Sequence, residues 1–91
     1  MKIKIRAFGE LAEVLAKHSM LELDDGENLD GLIDKLERIG TKTGKPLAAH
    51  RLRDSTLTIL INGNNVRALE GSKTILKDGD TVTFIPLVEG G

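Results

Sequence analysis

The 91-residue chain contains no cysteine, no tryptophan and no tyrosine. Without cysteine it can form no disulfide or thiolate metal site, and no side chain can carry a thioester or persulfide. The lack of cysteine also fits a cytoplasmic protein. Since Phe8 and Phe84 are the only aromatic residues, base stacking on single-stranded nucleic acid is disfavoured and the core must be aliphatic.

The chain also lacks a long apolar run and a strong net charge. No segment is long enough to span a bilayer, and the N-terminus alternates basic and apolar residues, unlike a signal peptide. Thirteen basic and fourteen acidic residues give a net charge of −1, which offers no attraction to nucleic acid. We therefore expect a single domain, residues 1–91, that binds neither nucleic acid nor membranes.

What is present begins with residues 2–8, where apolar and basic side chains alternate. A period of two with one apolar face predicts a strand that covers a core. The basic side chains on the other face are Lys2, Lys4 and Arg6. This small basic face is either only solvated or docks on an anionic surface of a partner.

The main helix is predicted at about 29–39, where four apolar side chains form one stripe. Asn28 is the expected N-cap, and Gly40 is expected in the left-handed conformation that follows a helix. Gly31 lies inside this helix at a cost of about 1 kcal/mol relative to alanine, which indicates close packing at that position.

The remaining pattern predicts one smaller helix, several strands and the turns between them. In chain order these are a short helix at about 10–17, a strand at Leu21–Asp24 ending in the Asp25-Gly26 turn, a polar loop at 41–55, a strand at 57–61, a turn at Asn62-Gly63, a short strand at 66–68, a turn at Asp78-Gly79-Asp80 and a final strand at 81–88. We expect an α+β domain in which a mixed sheet of four to five strands packs on one main helix.

The side chains offer few candidates for a catalytic or metal site. Residues 40–46 look like a phosphate loop, but proline stands where a Mg²⁺-binding Ser or Thr is needed, so a solvated basic loop is the better interpretation. His18 and His50 lack metal-ligand spacing. Turn propensity explains the paired carboxylates at 24–27 and 78–80. We predict no metal and no bound cofactor.

The chain ends in Gly90-Gly91, directly after the last predicted strand. Without Cβ atoms such a tail can thread a narrow channel, and its terminal carbonyl is open to a nucleophile. A carboxylate is inert until it is activated, commonly as an acyl-adenylate, and it can then be passed to sulfide, thiol or amine. We predict that the carboxylate of Gly91 is the reactive group and that Gly90 allows the tail to thread into a narrow channel.

Residues 76–91, LKDGDTVTFIPLVEGG, resemble the end of the MoaD group of ubiquitin-like sulfur carriers, in the MoaD/ThiS superfamily. Residues 5–16 and 59–66 resemble the group's first strand and helix and its third strand with an Asn-Gly turn. The resemblance implies a β-grasp fold with a reactive tail at 86–91. It also implies that Phe8 and Ile85 lie on a sheet surface that docks with partners, although ordinary core packing is the alternative for both.

One position of the tail departs from the group's pattern. The group often ends in Pro-Pro-Val-x-Gly-Gly, whereas this chain has Leu87 in place of the second proline. Because this part of the tail accompanies the glycines into the partner, we include Leu87 among the predicted partner-binding residues.

The resemblance further implies a carrier that is not catalytic by itself. A ubiquitin-activating-type adenylyltransferase (MoeB-like) would use ATP to adenylate Gly91, and a sulfur donor would convert the carboxylate to a thiocarboxylate. The tail would then enter the large subunit of molybdopterin synthase (MoaE-like), of which this chain would be the small subunit in molybdopterin or tungstopterin synthesis.

Other uses of the same activated tail stay open. These are a ubiquitin-like modifier conjugated to lysines through Gly91, a sulfur carrier for tRNA thiolation and, less favoured because of the long middle loop, a thiamine-pathway carrier. A β-grasp interaction domain with an inert tail is the remaining alternative.

Overall fold

The computed structural model describes residues 1–8, 20–42 and 57–85. The strands in these ranges are Lys2–Ala7 (β1), Met20–Glu22 (β2), Thr58–Ile61 (β3), Asn64–Asn65 (β4) and Thr81–Ile85 (β5). The helices in the same ranges are one α-helix, Leu29–Lys42 (α1), and two short 3-10 helices, Val66–Ala68 and Gly71–Lys73. The predicted combination of a mixed sheet and one main helix is confirmed.

The five strands form one sheet in the order β2-β1-β5-β3-β4. β1 pairs in parallel with β5, while β2 joins β1 and β3 joins β5 in antiparallel pairs. The central register places Arg6 beside Thr83, and Thr83 beside Leu60 of β3. The first and last described strands therefore lie together in the middle of the sheet.

The core lies between α1 and one face of the sheet, and α1 contributes a single apolar stripe to it. The buried side chains are Ile3, Ile5, Leu21, Leu23, Leu29, Leu32, Ile33, Leu36, Leu57, Ile59, Ile61, Val66, Leu76, Val82 and Phe84. Apart from Phe84 all of these are aliphatic, as the composition predicted. No polar or charged side chain is buried among the described residues.

The start of α1 agrees with the sequence, but its end does not. The Asn28 side-chain oxygen accepts a hydrogen bond from the backbone N–H of Gly31 at 2.9 Å, which confirms the predicted N-cap. The prediction that Gly40 follows the helix is wrong, because α1 continues to Lys42. A glycine costs a helix only about 1 kcal/mol, which the rest of the helix readily offsets. Residues 41 and 42 of the predicted polar loop therefore belong to α1.

One side chain just before α1 lies close to Gly31. A Cβ atom added at this position would meet the carboxylate end of Glu27. The interpretation that Gly31 permits close packing is therefore confirmed, with a neighbour that is flexible and able to move aside.

Two turns hold the start of β1, the end of β3 and the start of β5 together. Asp78 accepts a hydrogen bond from the backbone N–H of Lys2 at 2.7 Å. Asp80 accepts one from the Asn62 side chain at 2.8 Å, and the Asn62 oxygen accepts one from the Thr81 N–H at 2.9 Å. The turn predicted at residues 78–80, here called the acidic turn, thus connects three strands.

The strand predicted at 66–68 is wrong, because these residues form a 3-10 helix. Pairing of β4 with β3 stops at Asn65, whose side-chain oxygen accepts a hydrogen bond from the Arg67 N–H at 2.9 Å and caps the turn. The turn directs Val66 into the core. The helix predicted at 10–17, most of the predicted loop and the 86–88 part of the last predicted strand lie outside the described residues.

Replacing Asp80 with alanine should lower the free energy of unfolding by about 1–3 kcal/mol, because Asn62 and the Lys77 N–H each lose a charge-assisted hydrogen bond. Urea denaturation measures this loss. Asp24→Ala removes the same charge from an exposed position and should change stability by less than about 0.5 kcal/mol. Equal losses in the two variants would contradict a connecting role for the acidic turn.

Candidate functional site

The sheet face turned away from α1, here called the outer face, is the candidate site. Burial alternates along β1, β3 and β5, so every second residue of these strands points away from the core. The outer face carries Lys2, Lys4, Arg6, Phe8, Met20, Glu22, Thr58, Leu60, Thr81, Thr83 and Ile85.

The central pairing places Phe8 next to Ile85 at one end of this face. The Phe8 N–H donates a hydrogen bond to the Phe84 carbonyl oxygen at 3.1 Å, which extends the β1–β5 pairing one residue beyond β1. Ile85 is paired on its other side with Thr58. The two side chains that the sequence singled out therefore lie together where β5 ends.

Phe8 lies on the surface and not in the core. Its side chain is 47% exposed, whereas that of Phe84, whose backbone carbonyl accepts the Phe8 hydrogen bond, is fully buried. The guanidinium carbon of Arg6 lies 5.8 Å from the centre of the Phe8 ring, a cation–π contact that orients both groups. Ordinary core packing is therefore excluded for Phe8, while Ile85 is half-buried.

Two further apolar residues of the outer face were missed from the sequence. Leu60 is half-buried beside Thr83, and Met20 is 50% exposed beside Lys4. The continuous aliphatic run of β3 hides the alternation that would have assigned Leu60 to the outer face. The signal for Met20 was its place directly before Leu21 in an alternating segment.

The predicted reactive tail begins where the described part of the chain ends. Ile85 is the last residue of β5, and Leu87, Gly90 and Gly91 lie outside the described residues. The candidate site can thus be described up to the point from which the tail continues, next to Phe8.

The other candidates from the sequence either lie outside the described residues or belong to other parts of the fold. His18 and His50 lie outside the described residues, and of the suggested phosphate loop residues 40–42 belong to α1. Within the described ranges, no group of three His, Cys, Asp or Glu side chains is placed to hold a metal ion. No helix in these ranges has the length and apolar character needed to cross a membrane.

Comparison with known proteins gives one family and several relatives. The sequence model of the ThiS family matches residues 5–91. An Archaeoglobus fulgidus protein named "Putative sulfur carrier protein" is 40% identical over 76 residues, which cover 78% of this chain and 83% of that protein. Small archaeal modifier protein 3 of Haloferax volcanii is 30% identical, and the alignment covers 100% of both chains.

A solved structure from Pyrococcus furiosus, named for subunit 1 of a molybdopterin converting factor, is also similar. It is 25% identical, with a TM-score of 0.68, over 97% of this chain and 99% of that chain. Together with the five-stranded mixed sheet and the packing of α1 against it, this similarity establishes the β-grasp fold.

Truncating the two phenylalanines should separate the surface from the core. Phe84→Ala should lower the free energy of unfolding by about 3–5 kcal/mol, because it empties a buried site. Phe8→Ala removes a half-exposed ring and should cost about 1 kcal/mol or less. Thermal unfolding of the two variants measures the difference, and a loss at Phe8 as large as that at Phe84 would assign Phe8 to the core.

Proposed function

The chain belongs to the ThiS family, and from this membership we propose that it is a sulfur carrier whose Gly91 carboxylate is converted to a thiocarboxylate. The observation that carries the proposal is that the family match runs through residue 91 and so includes Gly90 and Gly91. The 40% identity to a protein named as a sulfur carrier supports it further.

The chemistry requires no side chain of this protein as a nucleophile. A Gly91 carboxylate oxygen attacks the α-phosphorus of ATP on a partner enzyme, which forms an acyl-adenylate and releases pyrophosphate. Hydrosulfide, or an equivalent donor, then attacks the carbonyl carbon and AMP leaves, so that a C–S bond replaces the bond to AMP. The product is a thiocarboxylate, and the absence of cysteine is no obstacle.

We assign the sulfur to molybdopterin or tungstopterin synthesis. The support is the similarity to the P. furiosus protein named for a molybdopterin converting factor. In this role a ubiquitin-activating-type adenylyltransferase (MoeB-like) supplies the ATP-dependent step. A synthase large subunit (MoaE-like) then receives the tail, and ATP belongs to the partner enzyme.

The outer face supplies the docking surface in this proposal. Phe8 and Ile85 lie beside each other at the end of β5. A partner that covers these apolar side chains would sit directly at the start of the tail, so that Leu87 and the two glycines could enter its active site. The docking residue Ile85 and the reactive Gly91 are then only a few residues apart in the sequence.

A second function, as a ubiquitin-like modifier, is favoured by a specific observation. Small archaeal modifier protein 3 aligns with the whole of this chain at 30% identity. In this case a lysine amine of a target protein attacks the same acyl-adenylate, AMP leaves and an isopeptide bond forms. The two functions share the activated carboxylate and differ in the nucleophile.

Incubation with ATP, the activating enzyme of the same organism and sulfide should increase the mass of the protein by one oxygen-to-sulfur exchange. Deleting Gly91 should abolish this change while leaving the thermal midpoint nearly unchanged, because terminal residues contribute little to a core. Glu89→Ala is the matched control, since it alters the tail but keeps both glycines, and it should retain the mass change.

The modifier function has its own readout. Digestion of cell protein should then yield Gly-Gly remnants on lysines of other proteins, and these should disappear with the Gly91 deletion. Failure of the wild-type chain to gain sulfur, in an assay where a known carrier does so, would contradict the sulfur-carrier proposal.

A further inference from the structure

We propose that Lys4 and Arg6 determine which partner the outer face binds. Together with Phe8 they form a docking site for a protein surface on which carboxylates border an apolar pocket. The occupant is the activating enzyme, so this proposal rests on the proposed function and adds the chemistry by which the enzyme is recognised.

The first observation is that, on the described strands, neither of these two cations is directly paired with an acidic residue. Lys4 lies between Met20 and Thr81, and Arg6 lies beside Thr83. Neither forms an ion pair within the described residues. Lys2 differs, because it lies opposite Glu22. Within the described residues, Lys4 and Arg6 are therefore the two outer-face cations that no carboxylate directly faces across a strand pair.

The second observation is that, among the described residues, most acidic side chains lie away from the outer face. In the described ranges, the outer face of the sheet carries Glu22 as its acidic residue. The others lie in the turn before α1, on α1, in the segment between the two 3-10 helices and in the acidic turn. They are Asp24, Asp25, Glu27, Asp30, Asp34, Glu37, Glu70, Asp78 and Asp80. On α1 these carboxylates are interspersed with Lys35 and Arg38, whereas the described outer face carries three cations and one carboxylate, which favours the approach of an acidic partner to the outer face.

The third observation is the contact between Arg6 and Phe8. The guanidinium lies over the ring in the free protein, so part of the entropy cost of ordering this long side chain is met before binding. Planar arginine groups bind carboxylates in a bidentate manner while stacked on an aromatic ring. Arginine and aromatic side chains at the centre of an interface, with charges at its rim, are the usual anatomy of a protein–protein contact.

The same residues argue against nucleic acid and membrane as occupants. Two unbalanced cations neutralise few phosphates, and the total charge of the chain is −1. Ile85 and Leu60, which extend the apolar part of the face, are half-buried. They suit the matching surface of a folded protein better than insertion into lipid.

Charge reversal tests the proposal in the ATP–pyrophosphate exchange catalysed by the activating enzyme. Lys4→Glu and Arg6→Glu should each raise the KM for the carrier about threefold to tenfold, and the double variant by more than about tenfold, because like charges oppose encounter. The kcat should stay within about twofold, since the reacting carboxylate is untouched. Lys73→Glu makes the same charge change at an exposed site in the second 3-10 helix and should leave KM within about twofold.

Salt supplies an independent readout. The KM of the wild-type chain and of Lys73→Glu should rise with ionic strength, and that of the double variant should respond less. Thermal midpoints identify any variant that fails to fold, and Lys4→Gln with Arg6→Gln then replaces the double reversal with a smaller expected rise in KM.

The results of these assays distinguish the docking proposal from the carrier function on which it rests. Exchange with a KM unaffected by Lys4 and Arg6, or affected equally by Lys73, would overturn the docking proposal and leave the carrier function intact. Tighter binding of wild-type protein to an oligonucleotide or to anionic lipid vesicles than to the enzyme would also overturn it. Absence of ATP–pyrophosphate exchange with the wild-type chain would contradict the proposed function itself.

Discussion

β1 and β5 lie side by side at the centre of the sheet, and the other strands are added to this pair directly or through β3. Hydrogen bonds from Lys2 to Asp78 and from Lys4 to the Asp80 carbonyl fix the pair at one end. At the other end the same register brings Phe8 beside Ile85. A single parallel pairing thus builds the core on one face, the candidate docking surface on the other, and the point from which the tail continues.

Residues of β1 and β5 alternate between the two faces of the sheet, and the two faces have different roles. Phe84 is buried against α1, whereas Phe8, hydrogen-bonded to its backbone, is half exposed. The buried face supplies the free energy that holds the domain together. Apolar area on the outer face contributes little to folding because it stays in water, and it is therefore available to a partner. Lys4 and Arg6 add charge there without burying it.

Local signals in the sequence predicted most of this fold. Alternation defined β1 and β5, the Asn28 cap defined the start of α1, and the Asn-Gly and Asp-Gly pairs defined turns. Two predictions failed because the competing effects were weak or local: one glycine did not end α1 at Gly40, and the Asn65 side chain turned residues 66–68 into a 3-10 helix. The position of Phe8 could not be decided from spacing, because it depends on pairing with a strand far away in the chain. The terminal glycines were identified from their chemistry and from a family resemblance.

The acidic turn bonds to a residue 76 positions away, and this separation has a consequence for how the surface comes into being. Closing a loop of this length costs about 4 kcal/mol of chain entropy, and contacts between residues so far apart in sequence slow folding. The outer face combines residues of β1 and β5, so it exists only once this long-range pairing has formed. A molecule that has not folded carries the same terminal carboxylate but not the surface beside it. In the proposed docking, a partner that recognises this surface as well as the carboxylate would therefore distinguish folded molecules from unfolded ones.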